Sequence, residues 1–173
     1  RTVALAQLEK RRNPQRGYEP MLERLLDPVL SPCARHGIAI IGNFGAANPA
    51  GAARLVAALA RKHGLPGLKI AYVEGDDIQQ SVDLSQHQVY EADASLEPDF
   101  GPLVSANAYL DSQPMVRALA DGAQVVITGR TGDPSLALAP LIHHFGWSRS
   151  DYDKFAAGAL TGHLLEDRKS TRL

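Results

Sequence analysis

With 173 residues, 45% hydrophobic and 21% charged, the chain has the composition of one globular domain with a sizeable core. Its formal net charge of −1 gives no reason to expect nucleic acid or an anionic membrane as a partner. No apolar run approaches the roughly 18 residues of a membrane span, and no signal-peptide pattern is present, so we expect a cytoplasmic protein. The single cysteine, Cys33, excludes an internal disulfide and is expected to be a packed thiol rather than a nucleophile.

Apolar periodicity predicts alternating helices and strands along the chain. We predict three strands, over 38–41, 68–73 and 123–128, and a short strand or extended loop over 104–109. We predict helices over 2–12, 50–63, 113–121, 135–145 and 151–165. Two further segments are a helical pattern over 19–36, divided by Pro28 and Pro32, and a helix with a loop over 76–88.

This order predicts an α/β fold, a Rossmann-like parallel sheet flanked by helices and built from right-handed βαβ units. Three or four strands make a thin sheet, and the chain starts at Arg1 in helix-like sequence. We therefore expect an incomplete domain over residues 1–166, followed by a disordered tail over 167–173 that is foreign to the fold.

Each predicted strand leads into a loop rich in Gly, Asn and Asp, namely residues 43–49 (NFGAANP), 74–77 (EGDD) and 129–134 (GRTGDP). In a parallel sheet such loops follow the carboxyl ends of the strands, where ligands bind at the point of strand-order reversal. The sequence therefore predicts a ligand site at this edge of the sheet.

The third loop carries the strongest candidates, Arg130 and Asp133. The planar guanidinium of Arg130 is suited to a carboxylate or phosphate, and a charge just past a buried strand needs a partner. Asp133 is a candidate catalytic residue that could orient Arg130, bind a metal or act as a base. The alternative is that Asp133 is the N-cap of the helix that follows, with Pro134 at the first helical position.

The first loop supplies Asn43, Gly45 and Asn48 as candidate substrate-binding residues. A Gly/Ala loop before a helix presents N–H groups to an anion. The spacing is neither GxGxxG nor GxxxxGK[ST], so it does not favour a nucleotide. For Asn48 the alternative is a helix cap before Pro49.

The second loop brings together Glu74, Asp76 and Asp77, of which the two aspartates are candidate catalytic residues. Clustered carboxylates can hold Mg²⁺ or Ca²⁺, or raise one pKa for acid–base work. The alternative is that one aspartate caps a helix. No Cys/His ligand set accompanies them, so a divalent metal other than zinc is the one cofactor that the pattern suggests.

Two further residues complete the predicted substrate site. Asn107 lies in the segment SANAY, which is not a GxSxG nucleophile elbow, and Ser105 has no recognisable base. His143 and His144 are adjacent on a predicted helix and point apart, so they cannot share one metal, but His143 could face the site.

Taken in order, the loops resemble a known family. The motifs are NFGAANP at 43–49, VEGDD at 73–77, VSANAYL at 104–110, VITGR at 126–130, DPS at 133–135 and HHFGW at 143–147. Together they resemble the N-terminal domain of the acyclic terpene utilisation (AtuA) family, over residues 2–166. Family members begin with a further Gly-rich strand and loop, and continue past a sequence like Leu164-Leu165-Glu166 into Cys- and Gly-rich sequence and a smaller domain, where this chain has DRKSTRL.

The resemblance implies a role in the catabolism of acyclic terpenes such as citronellol and geraniol, which proceeds through acyl-CoA esters. It implies no catalytic assignment for individual residues. Our first hypothesis is an enzyme that acts on a branched acyl-CoA or carboxylate by hydration, lyase or hydrolase chemistry. Its expected partner is this small molecule, and the chain could also form a homo-oligomer. The second hypothesis is a non-catalytic subunit that binds a CoA ester or serves as a scaffold. An NAD-dependent oxidoreductase is disfavoured because the dinucleotide fingerprint is absent.

Overall fold

The computed structural model describes residues 2–83 and 103–166. Within these ranges the elements are, in chain order, α1 (Thr2–Arg12), α2 (Leu22–Leu26), α3 (Leu30–Arg35), β1 (Ile40–Gly42), α4 (Pro49–Lys62), β2 (Ile70–Val73), α5 (Gln113–Ala120), β3 (Val125–Thr128), α6 (Ser135–Phe145) and α7 (Tyr152–Glu166).

The predicted elements are confirmed with two adjustments. The helical pattern predicted over 19–36 is two short helices, α2 and α3, separated at residues 27–29, in keeping with Pro28 in the break, whereas Pro32 lies in the first turn of α3 and does not divide it. The helix predicted within 76–88 is wrong for its described part, because residues 76–83 are loop and turn, and the remainder lies outside the described residues. None of the described helices is long and apolar enough to cross a membrane.

The three strands form one parallel sheet in the order β1-β3-β2. β3 pairs with both neighbours, so that Val125 lies beside Ile40 on one side and Ile70 on the other. All four residues of β3 are buried, while the edge strands are more exposed. The fold is therefore α/β, with a small open sheet flanked by helices.

Alternate side chains of β3 enter two separate cores on opposite faces of the sheet. Val125 and Ile127 pack with the buried leucines of α2 and the apolar face of α4. Val126 packs on the other face with Met115 of α5 and Ala139 of α6. Burial on both faces explains why β3 is a continuous apolar run rather than an alternating one.

The first and last helices contribute few buried residues to this framework. α1 contains no buried residue. α7 buries only Gly158 and Gly162, which pack against Leu138 and Pro134 respectively. Three leucines of α7 are exposed, namely Leu160, Leu164 and Leu165.

A charged contact joins α2 to the end of α4. The Asp27 carboxylate accepts hydrogen bonds from His63 Nε2 at 2.9 Å and from Lys62 Nζ at 3.2 Å. These two donors hold the pKa of Asp27 below its ordinary value. A carboxyl group whose pKa is lowered by folding stabilises the protein above its unfolded pKa of about 3.9, and that contribution is lost as the pH falls through the folded pKa.

We expect Asp27→Asn to lower the urea midpoint slightly at pH 7, because the neutral amide loses the charged part of this contact. As the pH falls below about 3.9 and towards the lower pKa of the folded carboxyl, the charged contact in the parent loses its contribution, so the difference between the two midpoints should shrink. Urea unfolding of both proteins between pH 3 and 7 checks this. A difference that stays constant over the whole range would contradict the role assigned to ionised Asp27.

Candidate functional site

The loops that follow the three strands meet at the carboxyl edge of the sheet, as the parallel arrangement requires. Gly45 N in the first loop donates a hydrogen bond of 3.0 Å to the carbonyl of Thr128 at the end of β3. A fourth segment, residues 104–110, joins them as an extended loop that forms single bridges from Asn107 to Asp77 and from Leu110 to Thr131. Four chain segments therefore enclose one end of the sheet.

A buried carboxylate, Asp76, ties three of these segments together. It is 3% exposed, and its Oδ2 accepts hydrogen bonds from Arg130 N at 2.8 Å and Asn107 Nδ2 at 2.9 Å. A Cβ on Gly129 would lie only 2.6 Å from Asp76 Cγ, so glycine at 129 allows the carboxylate to approach the backbone. Asp76 therefore positions the start of the loop that carries Arg130.

The Arg130 side chain lies above this buried contact. Its guanidinium carbon is 4.3 Å from the centroid of the Tyr109 ring, and Nη2 donates a hydrogen bond to the Tyr109 hydroxyl. Asp133 Oδ1 lies 3.9 Å away, a long contact between partly exposed groups that contributes little stability. Among the described residues, Tyr109 is the one hydrogen-bond acceptor of the guanidinium, so the remaining donors of this fork face solvent or a ligand.

Helix α1 covers the same edge and bonds three of the loops through polar side chains. Gln7 Nε2 donates to Asp77 Oδ2 at 3.2 Å, Lys10 Nζ donates to the carbonyl of Ala47 at 2.7 Å, and Arg11 Nη2 donates to the carbonyl of Val104 at 2.9 Å. Each contact reaches a different loop. The helix therefore connects the loops from above, without adding to either core.

Two cavities flank Arg130 and Asp133. The first, here called the arginine pocket, has a volume of about 210 Å³ and is lined by Thr2, Val3, Glu19, Asn43, Phe44, Ala46, Gly129 and Arg130. The second, here called the α7 cleft, has a volume of about 410 Å³ and is lined by Asn43, Thr131, Asp133, Leu136, Ala137, Gly162, Leu165 and Glu166. Asn43 lines both, and its exposed position at the end of β1 lets it face either one.

A larger cavity, of about 610 Å³, lies elsewhere, between the outer edge of β2 and α5. It is lined by residues 69–74 and by side chains such as Pro114 and Arg117, and none of the predicted site residues faces it. We therefore place the candidate site at the loops, where the polar side chains converge.

Two residues of the first loop that were predicted to bind substrate, Asn48 and Gly45, instead hold the loop in place through their own contacts. The Asn48 side chain accepts a hydrogen bond from Gly51 N and donates two to the carbonyls of Pro14 and Arg16, so the alternative interpretation as the α4 cap is confirmed. Gly45 packs so closely that a Cβ would lie 2.6 Å from the Thr128 carbonyl oxygen. Their proposed contribution to substrate binding is therefore indirect, through the shape of the loop.

Of the remaining predicted site residues, Asp133 lies at the loops beside a cavity, Asp77 lies at the surface, and His143 lies away from the loops. Asp133 is not the helix cap, so that alternative is wrong: Pro134 occupies the cap position without a side-chain bond, and Asp133 faces the α7 cleft. Asp77 is exposed and bonded to Gln7 and to Gln79 N. His143 lies in the exposed last turn of α6, about 12 Å along the helix axis from its loop end at Ser135, and is not brought to the loops.

The carboxylates of the second loop do not form a cluster with others. Within residues 2–83 and 103–166, no group of three or more His, Cys, Asp or Glu side chains is arranged to hold a metal ion. Asp76 and Asp77 are adjacent in sequence but have different surroundings, one buried against Arg130 N and the other at the surface.

Three contributors to the site were not predicted from the sequence. Tyr109 stacks on Arg130, Thr131 lines the α7 cleft while its hydroxyl is buried, and α7 forms one wall of that cleft through Gly162 and Leu165. The signal that could have indicated α7 is the pair of small residues four apart, Gly158 and Gly162, which permits a close helix contact. Tyr109 and Thr131 lie in the predicted site segments SANAY and GRTGDP, but the local sequence does not indicate their contacts.

Comparison with known protein families shows which family the chain belongs to. The family described as acyclic terpene utilisation family protein AtuA matches residues 1–167. The chain belongs to the AtuA family. The resemblance seen in the loop motifs is thereby confirmed, and membership connects the chain with acyclic terpene utilisation. No curated protein and no solved structure gives a significant match. The loops described above are thus the candidate site of an AtuA-family chain.

Proposed function

We propose that this AtuA-family chain is an enzyme of acyclic terpene catabolism that binds the anionic end of a branched acyl substrate at Arg130. The substrate would be a CoA ester or the free carboxylate. In this proposal the protein is cytoplasmic and its partner is the small molecule itself. The observation that carries the proposal is the Arg130 guanidinium, stacked on Tyr109 and lining a pocket at the carboxyl edge of the sheet.

The position of Arg130 favours anion binding. Its backbone N–H is fixed by the buried Asp76 carboxylate, and its guanidinium is held against one face of Tyr109. A group ordered before the ligand arrives loses less side-chain entropy on binding. The contact with Asp133 is long and partly exposed, so a carboxylate or phosphate can compete for the guanidinium without breaking a strong ion pair.

Among the predicted catalytic residues, Asp133 is the best placed for acid–base work. It lines the α7 cleft and lies 3.9 Å from Arg130, so it would be close to a group bound there. Asp76 is bonded to Arg130 N and Asn107, and we assign it the role of positioning the loop. Hydration, lyase and hydrolase chemistry all require a proton to be moved beside the acyl group, and Asp133 would supply that step.

The proposal is tested by binding. We expect Arg130→Ala to weaken a branched acyl-CoA and its free carboxylate about tenfold or more, because a charge-assisted hydrogen bond contributes about 1.5–3 kcal/mol. Arg130→Lys should recover part of the affinity, since it restores the charge without the planar fork. Titration calorimetry on the purified chain measures both.

Arg117→Ala is the matched control, because Arg117 is an exposed arginine on α5 that pairs with Asp121 away from the loops. It should bind as the parent does. Equal affinity of the parent and Arg130→Ala for both ligands would rule out the assigned role of Arg130.

A specific observation also favours the second hypothesis, a non-catalytic binding or scaffold subunit. Leu160 and Leu164, one turn apart on α7, are 61% and 67% exposed, and neighbouring exposed apolar side chains favour contact with another protein surface. The two hypotheses differ in turnover. A protein that binds the acyl ligand through Arg130 but converts none of it, with Asp133→Asn binding as the parent does, would support the scaffold subunit.

A further inference from the structure

The arginine pocket contains a second charged side chain, that of Glu19. Glu19 lies just before α2, is half-buried, and lines the same cavity as Arg130. Among the described residues the guanidinium of Arg130 has one ion-pair partner, Asp133 at 3.9 Å, and no ion pair joins it to Glu19. The pocket therefore has a carboxylate and a guanidinium in its walls that do not bond each other.

Each of the two charged groups is held by a different neighbour. Glu19 Oε1 accepts a hydrogen bond of 3.0 Å from Met21 N, and Glu19 N donates one of 2.8 Å to the carbonyl of Phe44 in the first loop. The guanidinium of Arg130 is held by the ring and hydroxyl of Tyr109. A ligand that enters between the two charges therefore has no direct bond between them to break, and finds both groups already ordered.

The two opposite charges limit which anions the pocket can bind. A ligand carboxylate at Arg130 lies in the same cavity as the carboxylate of Glu19, so the two negative groups repel each other. A hydroxyl or ammonium group on the ligand offsets this repulsion by donating a hydrogen bond to Glu19, and a hydrogen bond to a charged group is stronger than one between neutral groups. A second ligand carboxylate at the same place increases the repulsion.

The volume of the pocket limits the size of the ligand. At the roughly 30 Å³ that a water molecule occupies in the liquid, a cavity of about 210 Å³ holds about seven non-hydrogen atoms. This is the size of a short acid, and far less than a CoA group. Val3, Phe44 and Ala46 also line the cavity and provide apolar surface for the carbon atoms of such an acid.

From these observations we propose that Glu19 determines the specificity of the arginine pocket. It selects a short carboxylic acid, or the short acidic end of a longer ligand, that carries a hydrogen-bond donor beside its carboxylate. It also selects against a second negative charge at that place. The inference rests on the proposed function, in which Arg130 binds the carboxylate, and it adds the second group of the ligand that the pocket recognises.

The test compares four acids with four-carbon chains, each titrated against the whole chain at pH 7 by ligand-detected NMR. Butyrate has no donor beside its carboxylate, 3-hydroxybutyrate has a neutral donor, 3-aminobutyrate has a charged donor, and succinate has a second carboxylate. We expect the parent to bind the better of the two donor-bearing acids about fivefold or more tightly than butyrate, and to bind succinate most weakly. Comparison of the hydroxyl with the ammonium group shows which donor the pocket prefers.

Glu19→Gln removes the charge and keeps a carbonyl oxygen to accept from Met21 N, so its unfolding temperature should stay close to that of the parent. We expect it to weaken the preferred donor-bearing acid about fivefold, to strengthen succinate about threefold or more, and to bind butyrate at least as well as the parent does. A purely structural role of Glu19 would not strengthen any ligand. Glu23→Gln is the matched control, because Glu23 is an exposed glutamate of α2 that does not line the pocket, and it should bind all four acids as the parent does.

Arg130→Ala separates this inference from the proposed function, because it should weaken all four acids whereas Glu19→Gln should change their order. If Arg130→Ala weakens the acids but Glu19→Gln leaves the order of the parent, the inference about Glu19 is overturned and the proposed function stands. If Arg130→Ala binds the acids as the parent does, both are overturned. The inference also fails if the parent binds neither donor-bearing acid more tightly than butyrate, or binds none of the acids at about 10 mM; the acyl-CoA titration of Arg130→Ala then decides the proposed function separately.

Discussion

Asp76→Asn is expected to destabilise the protein by about 2–4 kcal/mol, since hydrogen bonds to a charged group contribute about 1.5–3 kcal/mol each. The carboxylate is 3% exposed and accepts hydrogen bonds from Arg130 N and Asn107 Nδ2 through one oxygen. Because both donors bond the same oxygen, an amide can keep both hydrogen bonds in one orientation, whereas the other orientation places an NH₂ group against them. Either orientation removes the negative charge, so each bond loses its charge-assisted part.

The neighbouring residue provides the control for this substitution. Asp77 is exposed, accepts from Gln7 Nε2 and from Gln79 N, and can be replaced by Asn with the acceptor for Gln79 retained. We expect Asp77→Asn to cost less than about 1 kcal/mol, as exposed polar contacts usually do. Urea unfolding at pH 7 compares the two variants with the parent. If Asp76→Asn and Asp77→Asn shift the midpoint equally, Asp76 does not hold the loops together as described.

Gly45→Ala is expected to destabilise the protein by about 2–3 kcal/mol through overpacking. The added Cβ would lie 2.6 Å from the carbonyl oxygen of Thr128 and 2.7 Å from Pro49 Cα. Both neighbours are backbone atoms, one at the end of the central strand and one at the start of α4, so neither can move aside as a flexible side chain would. The first loop would have to separate from β3, which would break the hydrogen bond from Gly45 N to Thr128 O.

Gly67→Ala is the matched control for this change. A Cβ at 67 meets no atom within 4 Å, and the backbone of Gly67 is outside the left-handed region. The substitution should therefore be neutral, or stabilise by about 0.4–1 kcal/mol through a less flexible unfolded chain. Thermal and urea unfolding of both variants measure the difference. An unfolding midpoint for Gly45→Ala that matches the parent would show that the loop relaxes without cost.

The strands and their shared edge were predictable because their signals are local. Val125, Val126 and Ile127 follow one another without a polar interruption, and a strand with helices on both faces requires such a run. The Gly-rich loops that follow each strand marked the carboxyl edge in advance. Asn48 before Pro49 likewise indicated a helix cap, and the side chain is bonded in that way.

The contacts within the site could not be predicted because they join residues far apart in the chain. Asp76 and Arg130 are separated by 54 residues, and only the pairing of β2 with β3 brings their loops together. Nothing near Asp76 distinguishes a buried carboxylate from the exposed one beside it. His143 could not be placed from the sequence for the same reason. Its distance from the loops depends on the direction in which α6 leaves the loop after β3, which the local sequence does not give.

The order of the strands has a consequence for how the protein acquires its fold. β3 is the last strand in sequence and the middle strand in space, and in the described part of the chain β1 and β2 pair only with it. In that described part, β1 and β2 can form the sheet seen here only after residue 128 has emerged from the ribosome, and contacts of this long range are slow to form. Because the loop carrying Arg130 follows β3 directly, the pairing of β3 also assembles the candidate site.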